Sequence, residues 1–169
     1  MLGRCFLALG SLFLVAATLH VDAPLPNGWR LPSNDETFQS WRLESPTRYL
    51  SVNGDFAGRG AADKAIILVK KNSTGFAPFL VLAAPDGRTR FFQAEETNPM
   101  RYLPDEGLRL LPPGKYKTTC GKGYGCSDGD EHSVTVSTHA VEFFQREGPE
   151  RLIYWNTAKD GPSEVWLSD

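Results

Sequence analysis

The strongest metal-binding pattern in this 169-residue sequence is NGDFAGRGAAD, residues 53–63, which leads into the apolar run AIILV. Asp55 and Asp63 flank a glycine turn, and Ca²⁺ prefers carboxylate and carbonyl oxygens at alternate positions of such a tight loop. Two intervening positions, where further oxygen ligands would be needed, hold Ala57 and Arg59. Ala57 has no side-chain ligand atom, and Arg59 places a positive charge where the ion would lie. The segment therefore has the form of a calcium loop without a full set of ligands.

Arg59 leaves three interpretations of this loop open. Its planar guanidinium can make two-pronged, charge-assisted bonds to Asp55, Asp63 or both, so that the loop keeps its shape without a metal. Alternatively, the segment is a plain polar turn and all three side chains lie in water. Weak calcium binding is the third interpretation, and it predicts that the protein melts at a higher temperature when calcium is present.

The remaining reactive residues do not form a recognisable catalytic motif. His132 follows an acidic run with Asp128, Asp130 and Glu131, and such runs are usually solvated loops, although this one could hold a cation. His139 follows the segment VTVST and is expected to have a structural role. Motifs of the Gly-x-Ser-x-Gly, His-Glu-x-x-His, Walker and dinucleotide-binding types do not occur. We therefore predict that the protein is not an enzyme and has no cofactor; a hydrolase with paired carboxylates is the least favoured alternative.

The first residues, MLGRCFLALGSLFLVAATLH, have the layout of a secretory signal: one Arg, an apolar run and then small residues. The apolar run is shorter than the roughly 20 residues of a membrane-spanning helix. We predict a signal peptide at 1–17, with cleavage after Ala17 or as late as Ala23; the alternative is an uncleaved anchor. Cleavage would leave a periplasmic or secreted protein with no membrane span. The formal charge of -2 offers little to neutralise phosphates, so no nucleic acid partner is expected.

Export changes the interpretation of the cysteines, because Cys120 and Cys126 are the two that remain after cleavage. An oxidising compartment favours their pairing across the glycine-rich loop CGKGYGC. A disulfide would make this loop a rigid protrusion, and a tyrosine between glycines is free to bury itself in a partner. The alternative is a tight turn whose tyrosine covers a neighbouring strand. The predicted partner-binding residues are Lys122, Tyr124, Asp128 and Asp130.

Short strands are the elements that must position these residues. At the start of the domain, Ser33 and Glu36 form a capping-box pattern, which predicts one helix over residues 34–42. Phe38 and Trp41 are three positions apart and are expected to share its buried face. About nine short strands at roughly ten-residue spacing follow, without alternating helices.

The strand pattern predicts a single all-β domain over residues 24–169, an antiparallel meander in the form of a sandwich or a partial β-propeller-like stack. KAIILVKK and FAPFLVLAA are continuously apolar, which is typical of strands covered on both faces. Alternation along a strand places the two rings of an adjacent aromatic pair on opposite faces. Three such pairs occur, at residues 91–92, 143–144 and 154–155.

VNGDFAGRGAADKAIILV, within residues 52–70, resembles the FG-GAP or VCBS repeat of β-propellers, in which GDFNGDGxxD leads into an apolar strand. A wider resemblance, from Trp41 to Asp169, is to small exported bacterial proteins with one such repeat, which end in PPGKYKTTCGKGYGC, an apolar strand and IYW…VWLSD. Some exported proteins with related propeller-like folds look like inhibitors or immunity proteins against peptidoglycan-cleaving enzymes. The resemblance implies a periplasmic, non-catalytic protein.

Together, these observations predict an exported, non-catalytic binding protein with a protein partner in the cell envelope. An inhibitor or immunity protein directed against a cell-wall hydrolase is the function that the resemblance implies. The alternative is a calcium-stabilised structural or adhesion module of FG-GAP type that uses Asp55 and Asp63.

Overall fold

The computed structural model describes residues 24–43, 49–84 and 86–168, and the signal-peptide predictions at 1–17 and Ala23 lie outside this part of the chain. Eleven strands dominate the described residues. They are β1 (Trp29–Arg30), β2 (Ser51–Gly54), β3 (Asp63–Lys70), β4 (Phe76–Ala83), β5 (Thr89–Gln93), β6 (Glu106–Leu111), β7 (Gly114–Lys117), β8 (Ser133–Val136), β9 (Ala140–Gln145), β10 (Glu150–Asn156) and β11 (Gly161–Ser168). Short 3₁₀ turns lie at Ser40–Arg42, Met100–Asp105 and Cys120–Lys122.

The predicted amino-terminal helix is present but shorter than expected. Helix α1 spans Asn34–Thr37, and both bonds of the capping box between Ser33 and Glu36 are formed. The helix ends there because Phe38 adopts an extended backbone, with φ -64° and ψ 119°. The expectation that Phe38 is buried is therefore wrong, and the residue is 69% exposed. Because the helix ends before Phe38, its spacing from Trp41 does not place the two side chains on one helical face.

All strand pairing is antiparallel, as predicted, and the sheets include a curled half-barrel. The first sheet has the order β1-β3-β4-β5. Strand β2 also pairs with β3, on the same edge as β1 but at the opposite end of the strand. The second sheet has the order β11-β10-β9-β6, and β7 and β8 form a separate hairpin. The two larger sheets meet where the backbone N–H of Leu108 donates to the carbonyl of Tyr49 at 2.6 Å.

The main core lies between the two larger sheets. Ile67 and Leu80 from the first sheet pack against Leu108, Phe143 and Ile153 from the second, and all five side chains are buried. Burial of side chains of this size contributes about 1.5–3 kcal/mol each. Contact between the two inner faces therefore holds the half-barrel together.

Two smaller clusters cover the outer faces. Ile66 and Phe79 on the far side of β3 and β4 pack against Trp29, which confirms that these apolar strands are covered on both faces. The β7–β8 hairpin covers the second sheet, where Val134 packs with Leu152. The rings of the three aromatic pairs also divide between the faces: Phe92, Phe143 and Trp155 join the main core, whereas Phe91, Phe144 and Tyr154 lie outside it.

No helix among the described residues has both the length and the apolar character needed to cross a membrane.

Candidate functional site: the disulfide loop and its groove

The predicted disulfide between Cys120 and Cys126 is formed, with the two Cα atoms 4.7 Å apart. The loop begins as a single 3₁₀ turn and reverses direction at Gly123, whose φ of 92° is accessible mainly to glycine. Gly121 is needed for a different reason. A Cβ atom there would lie 1.8 Å from the carbonyl oxygen of His132, so the loop backbone packs directly on the segment that precedes β8.

The base of this loop is fastened to the last strand, β11. The backbone N–H of Thr119 donates to the carbonyl of Trp166 at 2.9 Å, and the Nζ of Lys122 donates to the carbonyl of Leu167 at 2.7 Å. Within the loop, the N–H of Tyr124 donates to the carbonyl of Thr119 at 2.9 Å. The disulfide and these bonds together hold the loop in one orientation relative to the sheet.

The four predicted partner-binding residues lie on this loop and the turn after it, but they do not behave alike. Tyr124 is 58% exposed, so more than half of its surface is open to a partner. Asp128 and Asp130 are exposed, and Asp130 accepts a bond from the N–H of Ser127 at 2.8 Å. The ammonium group of Lys122 is bonded to β11, so this side chain fixes the loop to the strand. Tyr124 is therefore the aromatic side chain among the four that a partner can reach.

A groove of about 570 Å³ lies between the disulfide loop and β11. Its lining includes Thr118, Gly125, Asp130, Glu131, Glu164 and Trp166. Sequence reasoning missed Glu164 and Trp166, because the terminal strand was interpreted only as part of the antiparallel meander. The alternating pattern of EVWLS could have indicated that Trp166 is exposed. Leu167 is buried, whereas its neighbour Trp166 points the other way and is 46% exposed.

Behind the groove, a buried ion pair joins the two sheets. Arg151 on β10 pairs with Glu95, which follows β5 and has a side chain only 2% exposed. Burial raises the pKa of Glu95 to about 7, although the charge of Arg151 opposes the shift; Glu164 adds to it. The guanidinium of Arg151 also lies 4.8 Å from the ring centre of Trp166. Arg151 therefore connects the interior of the half-barrel with the groove.

A second buried carboxyl group belongs to the same cluster. Glu106, at the start of β6, is 5% exposed, and its burial raises the pKa to about 8. The charge of Arg151 opposes this shift, whereas Glu95 and Asp105 reinforce it. Two acids that share one arginine inside a protein cannot both ionise without cost, so protons are retained there at neutral pH.

The loop at residues 53–63 is held by the carboxylates of Asp63 and Asp55. Asp63 is buried, and its Oδ2 accepts bonds from the backbone N–H groups of Phe56 and Ala57, both at 3.2 Å. Its Oδ1 accepts from the N–H of Ala83 at 3.2 Å, and the guanidinium of Arg59 lies 3.4 Å from the same oxygen. The guanidinium thus reaches Asp63 by one bond of 3.4 Å, while three backbone N–H groups bond to it at 3.2 Å.

Asp55 closes the other side of this loop. Its two carboxylate oxygens accept the backbone N–H groups of Arg59 and Gly60, each at 2.8 Å. Partial burial disfavours its charged form, but these bonds prevail and hold the pKa of Asp55 below its usual value. His139 receives a bond from the N–H of Asp55 at its Nδ1, 3.2 Å away, and so ties the loop to β9. In the part of the chain that the structure describes, no three His, Cys, Asp or Glu side chains converge as a metal-binding group.

Comparison of the chain with protein-family models, with curated proteins and with solved structures finds no match.

Proposed function

We propose that this protein is an exported, non-catalytic binding protein that contacts a protein partner in the cell envelope through its disulfide loop. The partner class that the sequence resemblance favours is a cell-wall hydrolase, which the protein would inhibit. The observation that carries the proposal is the 58% exposed ring of Tyr124 on a loop that is closed by a disulfide and bonded to β11.

The loop has the physical properties of a preformed contact surface. A tyrosine offers a large apolar ring and a hydroxyl group, and burial of such anchors supplies much of the free energy in many interfaces. Because the disulfide and the bonds to β11 already restrict the loop, little conformational entropy is lost on binding. The groove beside Tyr124 adds a concave surface into which a partner side chain can fit.

The test begins with a photocrosslinking residue, p-benzoylphenylalanine, in place of Tyr124, in cells that export the full chain. The matched control carries it in place of Tyr102, an exposed aromatic residue on the 3₁₀ turn Met100–Asp105. We expect a crosslinked envelope protein for position 124 and none for position 102. The partner is then purified, and its hydrolysis of muropeptides is measured with and without the protein.

Calorimetry on the purified pair gives the quantitative result. Tyr124→Ala should weaken the affinity about thirtyfold, which corresponds to the roughly 2 kcal/mol of a binding hot spot. Lys122→Ala is unsuitable as the test variant because it also removes the bond to Leu167. Equal crosslinking from both positions, or an unchanged affinity, would contradict the proposal. A rise in melting temperature with calcium alone would favour the structural alternative.

A further inference from the structure

We infer that the groove between the disulfide loop and β11 receives an arginine or lysine side chain of the partner, with Trp166 as its aromatic wall and Glu164 and Glu131 as its anions. This inference rests on the proposed function and specifies the chemistry of the partner: a basic segment of a protein. It is carried by the shape of the groove, by the exposed indole and by the balance of charge around it.

Trp166 is placed to accept a cation. On β11 it pairs in register with Arg151 on β10, and the guanidinium of Arg151 lies 4.8 Å from its ring centre. The indole ring is therefore already in a cation–π arrangement on its inner side, while 46% of the residue remains exposed. A tryptophan ring is the best aromatic partner for such a contact. Trp166 is one of the residues that line the groove.

The lining of the groove supplies anions from two separate elements. Glu164 lies two positions before Trp166 on β11, so both side chains point to the same face of the strand. Asp130 and Glu131 approach from the turn that follows the disulfide loop, and all three acidic residues are exposed. Asp130 already accepts one backbone bond, and the carboxyl group of Glu164 shares a hydrogen bond with Glu95, so Glu131 is the first partner and Glu164 the second.

The two cations beside the groove do not neutralise these acids. Arg151 is surrounded by acids: it forms a buried ion pair with Glu95, and Glu106 and Glu164 act on the same cluster, so one guanidinium does not neutralise them all. The ammonium group of Lys122 is bonded to the carbonyl of Leu167. The groove therefore keeps an excess of negative charge beside an aromatic surface. That combination complements a guanidinium or ammonium group on a flexible apolar stem.

The inference is tested with a peptide pair that differs only in charge. The probe is acetyl-Gly-Arg-Gly-Arg-Gly-amide, and its control carries citrulline, which has nearly the same shape as arginine but no charge. Binding is followed by the NMR signal of the Trp166 indole N–H, assigned with the variant Trp166→Phe. The arginine peptide should shift this signal at millimolar concentration, the citrulline peptide should not, and added salt should weaken the effect.

Two variants locate the anion. Glu164→Gln should weaken binding of the arginine peptide at least threefold, whereas Asp35→Asn, which neutralises an exposed carboxylate on α1, should leave it unchanged. Equal shifts with arginine and citrulline, or no shift with either, would overturn the inference. So would a shift of the Trp166 signal by chitooligosaccharides alone, because the groove would then be a glycan site.

The two proposals fail in different ways. A partner crosslinked at position 124, together with no arginine binding at Trp166, leaves the proposed function standing and refutes the inference. Absence of any crosslinked partner refutes the proposed function whatever the peptides do.

Discussion

Replacement of Glu106 by glutamine should stabilise the protein above neutral pH, although it alters a buried group of the main half-barrel. The carboxyl group is enclosed, and its burial raises the pKa to about 8 from an ordinary value of 4.5. Between these two pH values, the folded protein binds more protons at this site than the unfolded chain does. The free energy of unfolding must therefore fall as the pH rises through that window.

The size of the effect follows from the same two values. At about 1.4 kcal/mol per pKa unit, a shift from 4.5 to about 8 gives an upper limit of about 5 kcal/mol for the stability lost between pH 4.5 and 8. Glutamine has nearly the shape of the protonated acid and can donate a hydrogen bond, but it does not ionise. The free energy of unfolding of the variant should match that of the parent near pH 5 and exceed it near pH 8. The pKa values of Glu95 and Glu142 are also raised, so the stability of the variant should still fall partly as the pH rises.

Urea denaturation at fixed pH, followed by tryptophan fluorescence with the disulfide intact, measures this directly. The parent curve should show a free energy of unfolding that declines from pH 5 to pH 8, and Glu106→Gln should flatten the decline. Glu147→Gln is the matched control, because its side chain is 83% exposed. A parent protein whose stability is flat or rises over this range would refute the reasoning. So would two curves that remain parallel.

Two further stability predictions use the same assay. Arg42→Met should destabilise the protein by about 2–4 kcal/mol, because the buried guanidinium donates to the carbonyls of Leu103, Pro104 and Glu106; a change below about 1 kcal/mol would mean that water replaces it. Arg59→Met should lower the free energy of unfolding by less than about 1 kcal/mol, because its bond to Asp63 is long. Asp63→Asn should lower it by about 1–3 kcal/mol, because three backbone N–H groups donate to the carboxylate. The reverse order would show that the guanidinium holds the loop.

Local features of the fold could be predicted from the sequence. The strands follow from short apolar segments separated by turn residues, and the capping box depends on two residues three positions apart. The disulfide was predictable because two cysteines remain after the predicted cleavage and are joined by a glycine-rich loop. These signals are local because strand alternation, helix capping and short-loop closure depend on neighbouring residues.

Other features depend on residues that only the fold brings together. The donors of Arg42 reach carbonyls 61 to 64 positions away, and Arg151 pairs with Glu95 across two sheets. Neither contact has a pattern in the sequence, because the distance along the chain is unrelated to the distance in space.

The sequence by itself determined that the chain is an antiparallel all-β protein with one disulfide loop. The tertiary structure decided what the loops can do. It joined Asp63 to backbone donors and Lys122 to a strand carbonyl, and it left Tyr124 and Trp166 exposed. The physical reason is that a side chain's periodicity is set by local backbone geometry, whereas its partners and its access to solvent are set by the packing of distant segments.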